Sequence, residues 1–487
     1  MILAGFIVIV CGLNAHRLRT ENEQFRNLRT SKYGSLTTAA RKDEARYFTI
    51  RNRTAVVVDK NVAKTGVETA ENRESNLRRR AARKSGASVE IDTESYLRRH
   101  AVNFVKNEGL IPLSDASAIW PEMDHDIRLT AQLQHVPRQA IERANNGKRK
   151  LKTILQWGGF KKYSNTFSKP GEKIFLRDDC PVNMCNITDD RSKAGTADVI
   201  VIERHVIGTG TPEPTGPRPA HQVRVMFTIE SPVHTPLHNK TGYQSSLNWT
   251  SNYRRDSTIP IPYGLFVRFN ESVRFKIPNR NYASGKTKKV AWFVSNCNEK
   301  NDRRKLAKEL SKHIDVDVYG MCGPFKCPVN EMERCLDLLD AKYKFYLAFE
   351  NSNCREYITE KFFENGLSRN VLPIVYGAHK DDYKRVAPPH SFIHVDDFES
   401  PKQLAEYLHI LDKNDDLYNS YFRWKGTGTV INRHLFWCRL CMLAHAEDPH
   451  KGRHISNYDR YWRPPAVCKL NAGYQRWTPP TYGSEWS

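Results

Sequence analysis

Neither of the glycine-rich phosphate loops, G-x-x-x-x-G-K-[S/T] or G-x-G-x-x-G, occurs in the 487 residues of this chain. Their absence leaves no motif-level ground for a P-loop NTPase or a dinucleotide-fingerprint enzyme. No repeat recurs at a solenoid or propeller period, which sets those architectures aside. Acidic residues are in deficit, 54 against 76 Lys and Arg, for a net charge of +22. Such a surface attracts nucleic acid, anionic lipid or sulfated glycans, and also retains an anionic nucleotide-sugar; charge alone does not choose among them. A bilayer span needs about 20 apolar residues, and the apolar stretch from Met1 to Leu13 falls short of that.

Cysteine is present in a pattern that speaks to compartment. Beyond Cys11 there are Cys180, Cys185, Cys297, Cys322, Cys327, Cys335, Cys354, Cys438, Cys441 and Cys468, an even set that predicts a disulfide framework made in an oxidising lumen. Cys438-x-x-Cys441 has the spacing of half a zinc site, but the other close pairs, Cys180/Cys185 and Cys322/Cys327, are wider. Glycosylation sequons at Asn52, Asn186, Asn239, Asn248 and Asn270 point to the same compartment. Residues 1–13 are therefore expected to be a short signal anchor, with a cleaved signal peptide as the alternative.

Residues 14–150 are polar, basic and weakly periodic, and read as a largely disordered stem with short helices near 94–108. The block Arg78-Arg79-Arg80 fits a solvated stem better than a nucleic-acid patch, given the lumenal signals. From Lys150 onward the texture is that of a folded α/β protein. Ala197 to Ile202 and Gln222 to Ile229 read as buried strands of a first domain over 151–285. A second domain, 286–435, alternates strand and helix: Val290–Val294, a helix over Asp302–Ile314, Val316–Tyr319, Phe345–Phe349, a helix over Thr359–Leu367, Val371–Val375 and Phe392–Val395. A further helix starts with Ser400 as N-cap, Pro401 at its first position and Gln403 completing a capping box. Residues 436–487 read as a cysteine-containing tail.

In a doubly wound sheet, ligands sit beyond the carboxyl ends of the strands. The crossover from Phe349 through Glu350-Asn351-Ser352 to Tyr357-Ile358-Thr359-Glu360-Lys361 is such a place. Lys361 is suited to a diphosphate there, and Asn351 or Glu360 to sugar hydroxyls. The plain alternative is a capped helix with two surface charges.

The segment Tyr343–Gly377, with Tyr346-Leu347-Ala348-Phe349-Glu350-Asn351-Ser352, Tyr357-Ile358-Thr359-Glu360-Lys361 and Val371-Leu372-Pro373-Ile374-Val375-Tyr376-Gly377, resembles the donor-binding signature of the α1,3-fucosyltransferase family. Upstream, Glu230-Ser231-Pro232, Asn248-Trp249-Thr250, Tyr253-Arg254-Arg255-Asp256-Ser257 and Pro262-Tyr263-Gly264 resemble the same family, and the likeness spans about residues 155–445.

The resemblance implies a GT-B fold, two Rossmann-like domains facing across a cleft. It also implies an inverting transfer of L-fucose from GDP-fucose to GlcNAc of a glycan, in the Golgi membrane as a single-pass type II protein, with no required metal and no nucleic-acid partner. Glu230 would be the general base. Arg303 and Lys361 would hold the diphosphate, with Arg304 adjacent as an alternative to Arg303. Asn351, Tyr357 and Glu360 would contact nucleotide or fucose, and Arg255 the donor unless the Arg254-Arg255 pair bridges to Asp256. The acceptor is either the innermost GlcNAc of an N-glycan or an antennary lactosamine. Glu203-Arg204-His205 lacks the tryptophan of members that also make α1,4 links, which favours α1,3, and Thr258 stands where many relatives have an acid. Asp315-x-Asp317 opens a strand and reads as a turn rather than a metal site. The Asn248 sequon falls inside a family motif and is expected to be buried and unused. The non-enzyme alternative is a basic secretory protein that binds polyanions.

Overall fold

A computed structural model describes residues 119–121, 125–137, 140, 150–159, 170–203, 211–235, 246–269, 280–432, 434–447, 455, 461–462 and 467–469. The candidate anchor, most of the stem, the helices expected near 94–108 and the sequons at Asn52, Asn239 and Asn270 lie outside the described residues. Among the described residues no helix is long and apolar enough to cross a membrane.

The first lobe contains α1 (His125–Gln134), β1 (Lys152–Gln156), α2 (Lys173–Arg177), β2 (Cys185–Thr188), β3 (Val199–Glu203), β4 (Val223–Phe227) and β5 (Trp249–Ser251). Its strands lie in the order β2-β1-β3-β4-β5, all parallel. A sheet covered on both faces needs continuous apolar runs, and β3, Val-Ile-Val-Ile-Glu, is buried throughout. Val199 and Val201 pack on one face with Ile154 and Val225, while Ile200 and Ile202 pack on the other with Leu155 and Met226.

After β6 (Leu265–Arg268) the second lobe runs β7 (Lys288–Phe293), α3 (Arg303–Leu310), β8 (Val316–Tyr319), α4 (Met332–Lys342), β9 (Tyr343–Phe349), β10 (Asn353–Cys354) and α5 (Glu360–Phe362). It continues through β11 (Leu372–Tyr376), α6 (Lys380–Val386), β12 (Ile393–His394), α7 (Pro401–Lys413) and α8 (Asp415–Ser420), and the chain closes with β13 (Gly428–Ile431), α9 (Phe436–His445) and β14 (Cys468–Lys469). The sheet order is β12-β11-β9-β7-β8, again parallel. The two Rossmann-like lobes of a GT-B fold are therefore present.

Several local expectations hold and others change. The helix expected over Thr359–Leu367 is one α turn followed by a π turn at Phe363–Leu367. Ser400 caps α7 by accepting from the Gln403 N–H, but the Gln403 side chain accepts from Glu399 rather than from Ser400. Helix α4 has no counterpart in the sequence reading.

The first lobe also takes in residues read from sequence as stem and as tail. Ile119, Trp120, Leu129, Leu133 and the α9 residues Phe436, Leu440 and Met442 share its core. Buried Arg128 on α1 donates to the carbonyls of Trp120, Pro121 and Ser257, so a charged helix is held by backbone oxygens instead of by apolar partners alone. Strands β6 and β13 pair antiparallel.

The ten cysteines form five disulfides. Cys180–Cys438 and Cys185–Cys441 pin α9 to the first lobe; Cys297–Cys322, Cys327–Cys335 and Cys354–Cys468 complete the set. Cys438 and Cys441 thus go to different partners, and neither thiol is left for zinc. Asn248 is half-buried, its Oδ1 accepting from Arg218 and from the Arg224 N–H.

His394 on β12 is buried and bonded as a neutral ring, Nδ1 accepting from the Asp396 N–H and Nε2 lying 3.3 Å from the Ala378 carbonyl. Burial pushes its pKa down to about 3. Because the folded value lies below the unfolded one, near 6.5, the stability tied to this ring is complete above about pH 6.5 and is lost as pH falls toward 3. The loss amounts to up to about 1.4 kcal/mol per pH unit. Denaturant titrations between pH 7 and 5 should therefore show falling stability, with a slope smaller by about one proton in His394→Gln; an unchanged slope would remove this ring as the cause.

Candidate active site at the lobe junction

The carboxyl ends of β4 and β9 feed the two halves of the site. β4 exits through Thr228-Ile229 to Glu230, and β9 exits directly into Glu350. Glu350 is fully buried. Its carboxylate accepts from the Thr359 backbone N–H at 2.8 Å and from the Thr359 hydroxyl at 2.9 Å, and it lies 3.4 Å from the Lys361 ammonium. Burial raises the Glu350 pKa, and Lys361 and the Thr359 bonds offset only part of that rise. Gly377 is needed beside it, since a Cβ there would come within 2.5 Å of the Glu350 side chain and its φ is +138°.

Lys361 donates to Thr359 Oγ1 at 2.9 Å and to Glu360 Oε1 at 2.8 Å. Burial opposes its charge, yet Glu350 and Glu360 more than offset that, and its pKa lies above the ordinary lysine value. For Glu360, burial pushes the carboxyl up while the Lys361 charge and hydrogen bonds from Lys361 and Thr359 bring it below the usual range.

Across the junction, the buried Tyr357 phenol donates to Glu230 Oε2 at 3.0 Å. The structure records no partner for Glu230 Oε1 among the described residues. Burial, with the neighbouring Tyr263 and the negative charge of Glu230, Glu350 and Glu360, pushes Tyr357 well above the usual tyrosine pKa and keeps it a neutral donor. Tyr263 packs edge-on against Tyr357 and donates to the Ile229 carbonyl at 2.8 Å. Gly264 permits the second lobe to approach, because a Cβ there would meet Phe363 at 2.4 Å. The lobes are joined again where the Ser352 hydroxyl donates to Ser231 Oγ at 2.7 Å and where Glu356 Oε2 accepts from the Arg255 N–H at 2.9 Å.

The structure thus brings Glu230, Tyr357, Glu360 and Lys361 together. Asn351 sits in the same loop, its carbonyl 3.4 Å from His234 Nε2. Arg303 is buried, with its terminal nitrogens donating to the carbonyls of Phe349 and Asn296 at 2.9 Å each; it braces the β9 exit from behind. Arg304 is exposed and bonds the Cys297 carbonyl. Arg254 bridges to Asp256. Thr258 and Thr250 exchange hydroxyl and backbone N–H bonds, a structural tie in a buried position. Asp315 and Asp317 open β8, at the strand end away from the site, and Asp317 accepts from Lys288 and Tyr343.

Two family descriptions match this sequence in order along the chain. Residues 149–264 match "Fucosyltransferase, N-terminal", and residues 283–458 match "Glycosyltransferase family 10 (fucosyltransferase) C-term". The glycoprotein 3-alpha-L-fucosyltransferase A of Drosophila melanogaster is 47% identical over 355 residues, 72% of this chain and 68% of that protein. The chain belongs to glycosyltransferase family 10, the fucosyltransferases. A second member, the bovine (Bos taurus) 4-galactosyl-N-acetylglucosaminide 3-alpha-L-fucosyltransferase 9, is 36% identical over 57% of this chain and 74% of its own length. A solved alpha1,3-fucosyltransferase with GDP-fucose aligns at 13% identity and a TM-score of 0.39, covering 63% of this chain and 93% of that one.

In this fucosyltransferase Glu350 is a site residue that the sequence expectations do not include, although it lies between Phe349 and Asn351. The available signal was position: a carboxylate at the carboxyl end of a central, fully buried strand is placed where ligands bind. Tyr263 and the Ser231–Ser352 contact are likewise absent from those expectations, because they depend on segments far apart in sequence.

Glu350→Ala leaves the buried Thr359 N–H without its acceptor and Lys361 without its buried carboxylate, and should cost about 3–5 kcal/mol of stability. Glu350→Gln keeps an acceptor and should cost less, about 1–3 kcal/mol. Chemical denaturation of both variants checks this; equal, small losses would show that the carboxylate does not hold the loop.

Proposed function

We propose that this fucosyltransferase transfers L-fucose from GDP-fucose, with inversion, to the 3-hydroxyl of a GlcNAc on a protein-linked N-glycan, in the Golgi lumen behind an N-terminal type II anchor. One observation carries the reading: Glu230, a carboxylate with one oxygen that meets no partner among the described residues, stands in the same junction as the Lys361 ammonium, linked through Tyr357 and the 350–361 loop. The acceptor hydroxyl gives its proton to Glu230 as its oxygen bonds to the anomeric carbon. The bond from that carbon to the phosphate oxygen breaks on the opposite face, and its electron pair leaves with GDP.

Lys361 exchanges its contact with Glu360 for the diphosphate and offsets the charge that builds there. Arg303 adds positive charge from behind the β9 exit. Asn351 and Glu360 are assigned to hydroxyls of nucleotide or fucose, Arg255 to the donor side, and Tyr357 to orientation of the base. With cations in these roles, a divalent metal at most stimulates the reaction. The five disulfides support the lumenal placement. The greater identity to the fly protein named for a glycoprotein acceptor, 47% against 36%, supports a glycoprotein acceptor here.

Incubation with GDP-fucose and an acceptor panel, followed by linkage analysis, should yield GDP only when acceptor is present and fucose in α1,3 linkage to GlcNAc. Core-only and antenna-bearing glycopeptides in the panel separate the two N-glycan sites. Another linkage, or acceptor-independent GDP release, would contradict the reading. Glu230→Gln should bind GDP normally and lose transfer. Lys361→Ala should weaken GDP binding about tenfold or more; wild-type affinity would remove its phosphate role.

A further inference from the structure

The loop that carries Tyr357 and the turn that follows Glu230 are both held from behind by a short stretch of chain near the carboxyl terminus. Trp462 is 1% exposed and packs against Tyr253, ring centroids 5.9 Å apart; Tyr253 in turn packs against Tyr357 at 5.0 Å. The same indole donates its Nε1–H to Thr235, lying 3.3 Å from both the carbonyl and the hydroxyl oxygen. Thr235 closes the turn after the base, since its N–H and its hydroxyl both donate to the Ser231 carbonyl at 3.0 and 2.8 Å. One side chain thus touches both supports of the Glu230–Tyr357 pair.

The stretch is itself fixed to the donor loop. Cys468 is bonded to Cys354, three positions before Tyr357, and β14 pairs antiparallel with β10. The Arg355 N–H donates to the Val467 carbonyl at 2.8 Å. Next to Trp462, the Tyr461 hydroxyl accepts from Asn252 at 2.9 Å, and the Arg254 guanidinium lies over the Tyr461 ring at 4.4 Å.

We propose that Trp462 is a positioning residue for catalysis: it sets the distance and direction between Glu230 and Tyr357 without touching donor or acceptor. The claim rests on Glu230 being the general base. Misplacement of a reacting group by about 1 Å, from a change remote from the chemistry, costs up to about a hundredfold in rate. The effect therefore falls on turnover rather than on donor binding, which Lys361 and its neighbours govern.

The test uses the full chain, with kcat normalised to GDP-binding sites, KM for GDP-fucose and melting temperature measured for Trp462→Phe, Trp462→Ala and Glu230→Gln. Trp462→Phe keeps a ring behind Tyr253 and loses only the N–H to Thr235, so it serves even if the alanine variant fails to fold. Expected are a kcat loss of roughly tenfold or more for Trp462→Ala, a smaller loss for Trp462→Phe, and KM within about twofold of wild type in both. Unchanged kcat per binding site in Trp462→Phe, or a rise in KM that accounts for the whole loss, overturns the proposal. Substantial transfer by Glu230→Gln instead overturns the base assignment, whatever the Trp462 variants do.

Discussion

The hydrogen bond from the Tyr357 phenol to Glu230 joins two lobes whose five-stranded sheets share no strand, and the candidate site is built around it. Tyr357 belongs to the crossover after β9, Glu230 to the exit of β4, and 127 positions separate them in the chain. A contact of this kind is worth about 1.5–3 kcal/mol when one partner is charged. Ordering backbone costs about 1–2 kcal/mol for each residue held. The bond cannot order the crossover by itself, so other forces must fix the loop first.

Those forces are visible at each step of the loop. Glu350 at its start is tied to Thr359 at its end. Arg355 pairs with Asp382 through two nitrogens, and the Glu356 N–H donates to the same carboxylate. Glu356 adopts φ +59°, a left-handed conformation that turns the chain just before Tyr357 and that an L side chain holds only against a local cost. Cys354 is anchored by its disulfide. A rigid frame of this sort suits a displacement reaction, where rate comes from groups already in place when charge develops.

The architecture was legible where the physics is local. β3, β4, β7, β9 and β11 are apolar runs because each is covered on both faces, and that needs no knowledge of the partner. Helix α4 was not legible: a 3-10 turn at Val329–Glu331 leads into it, it buries only Cys335, Leu336 and Leu339, and it passes into β9 without a break. The α1 region was read as stem because its buried Arg128 and Gln132 are satisfied by distant carbonyls, of Ser257 and Thr258 among others. Ten cysteines announce disulfides but not their pairing, so the return of α9 to the first lobe could not be anticipated. In the candidate site, a strand-to-helix crossover marks Lys361 from sequence and the family resemblance marks Glu230, and the structure places the two in one junction. The ties of Glu350 to Thr359 and of Trp462 to Tyr253 and Thr235 are made only in the folded chain.

Because the loop proposed to cradle the donor is also the lobe junction, filling it with GDP must stiffen the residues around Glu230 as well. Hydrogen–deuterium exchange of the protein with and without GDP tests this directly. The account predicts slower exchange at residues 350–361 together with residues 229–235, although the latter belong to the other lobe. Protection confined to the second lobe, with exchange at 229–235 unchanged, would contradict it.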